Sequence, residues 1–80
     1  MKVVEIVWDD AWIESGDMTI KQAEKSKPIK TYTVGYLIAE NEHGVTVATD
    51  LYEKDKKSAK TINFVPWPMI LDYYEYEIQE

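Results

Sequence analysis

TYTVGYLIAENEHGVTVATDL, residues Thr31–Leu51, is the stretch on which the fold of this chain turns. Two apolar, β-branched runs flank a short polar turn, Glu40-Asn41-Glu42-His43-Gly44, which is the pattern of a β-hairpin. In the first run Tyr32, Val34, Tyr36 and Ile38 fall on one face of a strand, and Thr33, Gly35, Leu37 and Ala39 on the other. Both faces are fairly apolar, which places this strand inside a sheet rather than at its edge. Such a strand needs both faces covered, one by the core and the other by a loop, a helix or a second subunit. Gly35 weakens a strand interior and so marks a bend or a close backbone approach. The returning strand alternates Val45, Val47 and Thr49 with Thr46, Ala48 and Asp50.

Outward from the hairpin, Val3–Trp8 is β-branched and reads as a first strand. Asp9–Asp17 reads as a loop whose Trp12 and Ile13 are expected to pack back onto the body. Thr19 and Gln22 fit a capping box, predicting a short helix over Ile20–Lys25 that ends before Pro28. On the other side, Glu53–Ser58 is a charged turn and Lys60–Val65 a fourth strand. Pro66-Trp67-Pro68 forbids strand continuation and predicts a turn or a single 3₁₀ turn. Ile70–Ile78 is a last strand, with Tyr74, Tyr76 and Ile78 on one face and Glu75 and Glu77 on the other. The sum predicts a mainly β, single domain over residues 1–80: a small five-stranded SH3-like or Sm-like barrel with one short N-terminal helix. An open α+β sheet is the alternative.

Composition narrows the function classes. Three Trp, six Tyr and one Phe in 80 residues argue for a packed fold. With no Cys, disulfides and thiolate metal sites are excluded. No apolar run reaches the roughly 18–20 residues of a membrane helix, and MKVVEIVWDD is unlike a signal peptide, so a cytoplasmic protein is expected. The net charge is −6 and every basic residue is Lys. Non-specific binding to duplex nucleic acid is not expected of such a surface, and an anion site would rest on Lys, backbone N–H groups and hydroxyls. Acid is concentrated at the end, where Asp72, Glu75, Glu77 and Glu80 stand without a base. A chain this short gains from oligomerisation.

The runs VEIVWDDA (Val4–Ala11), TVGYLIAENEHGVTVA (Thr33–Ala48) and NFVPWPMI (Asn63–Ile70), with a Lys-rich helical connection between the first two, resemble a group of small phage-encoded proteins. The resemblance spans nearly the whole chain, departing from the group's pattern at Trp67-Pro68 and in the tyrosine-rich acidic tail. It implies a phage accessory protein, of the kind that often inactivates host defences. It carries no catalytic residues.

The residues themselves offer little chemistry. His43, the single His, sits in a turn with no nucleophile motif around Ser15, Ser26 or Ser58. Asp9, Asp10, Glu14 and Asp17 lack the order of a calcium loop and read better as a solvated loop. The lysines fall in two clusters, Lys21, Lys25, Lys27 and Lys30 around the helix and Lys54, Lys56, Lys57 and Lys60 near the charged turn; each reads as a solvated face or a phosphate site. The aromatics are richer, since exposed Trp and Tyr anchor interfaces. The candidate ligand-binding residues are Trp8, Trp12, Lys30, Tyr32, Tyr36 and Trp67; the candidate partner interface is Tyr73, Tyr74 and Tyr76. The expected function is non-enzymatic: an oligomer that sequesters a nucleotide immune signal, without cofactor or metal. The alternatives are an acidic inhibitor that docks onto a host defence protein and a small metal-dependent hydrolase.

Overall fold

The computed structural model of the chain describes residues 1–52 and 57–79. The charged turn over 53–56 therefore lies outside the described residues. In order come β1 (Lys2–Asp10), α1 (Ile20–Ala23), β2 (Ile29–Glu40), β3 (Gly44–Leu51), β4 (Ala59–Pro66), a 3₁₀ turn (Trp67–Met69) and β5 (Ile70–Glu77). The strands form one antiparallel sheet in the order β4-β3-β2-β1-β5, so β2 is interior, as its two apolar faces require. The fold is mainly β. The sheet is open: among the described residues no ladder joins β4 to β5.

β2 serves two neighbours end to end. It pairs with β1 from Ile29 to Tyr36 and with β3 from Tyr36 to Glu40, with a register shift between Leu37 and Ala39. Ile38, at that shift, leaves the alternation that Tyr32, Val34 and Tyr36 keep. Gly35 is where β2 and β3 come close: a Cβ there would sit 2.7 Å from the Ala48 carbonyl oxygen and 3.3 Å from the Val47 Cβ. That approach lets the sheet curl, and Val4 and Ile6 of β1 share one buried cluster with Val45 and Val47 of β3 and Val65 of β4. β1 and β3 are not sheet neighbours, so a flat sheet would keep these side chains apart.

Side chains carry the curl across the open side. The Tyr73 phenol donates to Glu40 Oε2 at 3.0 Å, and the Trp67 indole donates to the Asn41 carbonyl at 2.7 Å. The two rings meet edge to face, 5.8 Å between centroids. These contacts tie the start of β5 and the 3₁₀ turn to the β2–β3 turn, where Asn41 Oδ1 accepts the backbone N–H groups of His43 (2.8 Å) and Gly44 (3.3 Å).

The segment before β2 departs from expectation. The capping box is present, with Thr19 and Gln22 bonded reciprocally, but α1 is one turn long and buries nothing. Every residue from 11 to 30 is exposed. Trp12 and Ile13 do not pack back onto the body: Trp12 is 41% exposed and Ile13 94%. The β1–β2 ladder runs outward as far as Asp10 and Ile29, and the Trp12 indole donates to the Lys27 carbonyl at 2.7 Å, fastening the two limbs of the connection to each other. The result is an arm, and the molecule measures 52 × 23 × 21 Å with a radius of gyration of 15.9 Å, where a compact chain of this length has about 12 Å.

Candidate functional site: a tyrosine-lined sheet face

Cross-strand register decides which side chains share a face. Val3, Glu5, Val7 and Asp9 of β1 stand opposite Tyr36, Val34, Tyr32 and Lys30 of β2. The same β1 positions stand opposite Tyr76, Tyr74 and Asp72 of β5. All of these point away from the buried cluster. Beyond Tyr36 the face continues through Ala48 of β3 to Ile62 of β4, and from Ala39 through Thr46 to Phe64. It carries Tyr32, Val34, Ile62, Phe64, Tyr74 and Tyr76, each about half or more exposed. Neither the arm nor α1 covers it.

At one end of this face lies an open cup of about 330 Å³, walled by Lys30, Tyr32, Tyr74, Tyr76, Glu5 and Asp72, with Val7 among its lining residues. Lys30 Nζ sits 5.8 Å from the Tyr32 ring centroid, within reach of a cation–π attraction. Among the described residues neither Glu5 nor Asp72 has an ionic partner. The cup thus offers three aromatic faces, one ammonium and two carboxylates able to accept hydrogen bonds.

The expected residues divide between the two sides of the sheet. Lys30, Tyr32, Tyr74 and Tyr76 meet in the cup, and Tyr36 is half-buried further along the same face. Trp8 lies on the opposite side, packed against the buried cluster, its indole donating to Thr33 Oγ1 at 2.9 Å. Trp67 and Tyr73 are on that side too, in the closing contacts described above. Trp12 is in the arm. Burial and the neighbouring Glu40 carboxylate push the Tyr73 phenol well above its ordinary value. Lys2 and Glu75 pair at 3.0 Å; Lys2 holds the Glu75 carboxyl below the usual carboxylate range, and Glu75 raises Lys2.

Sequence reading missed Glu5 and Val7 as part of this surface, and it singled out Asp72 only as part of the acidic tail. The signal was present in β1, where Glu5 interrupts the apolar VVEIVW and marks the face that does not enter the core. His43 is exposed, its Nε2 3.4 Å from Glu42 Oε1. Among the described residues no three His, Asp or Glu side chains converge as a metal would require. Lys54 and Lys56 lie outside the described residues. Among the described residues no helix is long and apolar enough to cross a membrane. No known protein family, curated protein or solved structure matches the chain.

Proposed function

We propose that the protein is a non-enzymatic, phage-type accessory protein of the host cytoplasm that counters defence by binding, sequestering a nucleotide signal as an oligomer. The observation that carries this is the cup, where Lys30 and three tyrosines from β2 and β5 converge around one opening. A base stacks on tyrosine faces irrespective of its identity, Lys30 receives a phosphate as a point charge, and Glu5 and Asp72 accept from base amino or ribose hydroxyl groups. The cup's volume lies at the lower end for small-molecule sites, which suits a half-site closed by a second subunit. The strand order, the Gly35 curl and the 3₁₀ turn before β5 favour reading the sheet as an incompletely closed SH3-like or Sm-like barrel.

A second reading has its own support. β5 is an edge strand presenting Tyr74 and Tyr76 beside Asp72, an acidic aromatic strip that suits docking onto a host defence protein. One experiment separates the readings: incubate the protein with cyclic and ADP-ribose-derived nucleotides, heat it, and assay what is released. Intact nucleotide, lost in Tyr32→Ala and Lys30→Ala variants, is the expected result. An altered nucleotide makes the protein an enzyme. No binding, with a host protein captured through Tyr74 and Tyr76, favours the inhibitor.

A further inference from the structure

No residue of the arm is buried. Its capping box and the Trp12–Lys27 bond hold it in one shape, while Trp12, Ile13, Met18, Ile20 and Ile29 stay exposed, Ile20 at 79%. On the same chain the outer sheet face leaves Tyr32, Val34, Phe64 and Tyr74 in water. A monomer of 9.3 kDa exposes about 5,000 Å² by size scaling; this chain exposes 6242 Å². The excess, about 1,200 Å², is more than the roughly 800 Å² each partner contributes to a standard interface.

Charge supplies the match. The second limb of the arm, residues 18–28, carries Lys21, Lys25 and Lys27 against Glu24 alone, and the first limb, residues 11–17, carries Glu14 and Asp17, so the positive charge lies on the second limb. Across the outer face, β1 and β5 present Glu5 and Asp72 around the single Lys30 of β2, and residues 61–80 contain no base. Among the described residues Lys21, Lys25 and Lys27 have no ionic partner, and neither do Glu5 and Asp72.

We infer that a second copy of this chain covers the outer face: the arm of each protomer lies across the sheet face of the other. Ile13 and Ile20 seat among the tyrosines and valine of the partner, and the arm lysines come to its carboxylates. The exchange is reciprocal, so the interface closes as a dimer. It also gives the cup a wall from the second copy and raises its positive charge. The inference rests on the proposed function only for the oligomer, and its test contains no nucleotide: a failure of nucleotide capture leaves the arm-exchanged dimer standing, and an arm that does not dock leaves nucleotide capture standing.

The chain has no cysteine, which makes site-specific cross-linking clean. Purified Ile20→Cys and Tyr74→Cys variants are mixed and treated with a short bis-maleimide, and light scattering gives the mass of the untreated wild type. Expected are a wild-type dimer, a cross-linked pair formed only when both variants are present, and a monomer for Ile13→Asp/Ile20→Asp with an unchanged far-ultraviolet spectrum. Because both isoleucines are exposed within one chain, that variant keeps its fold. A monomeric wild type overturns the inference. So does a dimer that survives the double aspartate substitution, or the absence of a cross-linked pair when the Ile20→Cys and Tyr74→Cys variants are mixed.

Discussion

Gly44 shows how much one residue decides. It opens β3 opposite Pro66, and a Cβ there would overlap the Val65 carbonyl oxygen, with the Pro66 Cα 2.8 Å away. Backbone atoms cannot swing aside as a flexible side chain can. Gly44→Ala should therefore lower stability by about 3 kcal/mol, read as a shift of the urea midpoint; a loss under about 1 kcal/mol would show that β4 gives way easily. The pairing of Lys2 with Glu75 makes a pH prediction. Glu75 has a folded value below its unfolded one, so its contribution is complete above the unfolded carboxyl value, about 4.3, and is lost as pH falls through the folded value. Thermal midpoints of wild type should fall on acidification more than those of Glu75→Gln, and parallel curves would remove the pair from the account. Tyr73 has the opposite sign: its raised phenol is stabilising below about pH 10 and the benefit is lost as pH climbs above that. Tyr73→Phe should lose less stability than wild type between neutral and strongly alkaline pH.

At the scale of elements, β4 holds the one backbone outlier among the described non-glycine residues, Thr61 at φ 56°. It lies between the Ala48–Ile62 and Asp50–Lys60 pairs, where the ladder skips a position. A β-branched residue in the left-handed region is strained, and Asn tolerates it better. Thr61→Asn should raise stability by about 1 kcal/mol; an unchanged or lowered urea midpoint would mean that the Thr methyl is worth the strain. The strands themselves were legible because their alternation is strong. Tyr74 and Tyr76 fall on the face opposite Glu75 and Glu77, as period two demands, and Pro66 caps the 3₁₀ turn while Pro68 sits inside it, as backbone chemistry allows. The arm was not legible. Trp12 and Ile13 are the residues one expects to find buried, and no local pattern tells whether their partner is the same chain.

Across the whole molecule, the two sides of the sheet make contrasting predictions. Ile6 is fully buried among Val4, Val45, Val47 and Val65, so Ile6→Ala should cost about 2–5 kcal/mol. Val34, half-exposed on the outer face, should cost the monomeric arm variant no more than about 0.5 kcal/mol when cut to Ala, while weakening the dimer of the wild-type arm. Equal losses in both backgrounds would place Val34 in a core rather than an interface. The sequence by itself determined the strands, the hairpin at 41–44, the turn before β5 and the interior position of β2, since each follows from alternation, β-branching and the conformational limits of Pro and Gly. Only the tertiary structure decided which aromatic residues meet. Register across β2, β1 and β5 sends Tyr32, Tyr74 and Tyr76 to one face and Trp8, Trp67 and Tyr73 to the other, and pairing between distant segments depends on contacts that no short window contains. The stretch Thr31–Leu51 carried an apolar outer face from the start, and the tertiary structure decided that no described part of the same chain covers it.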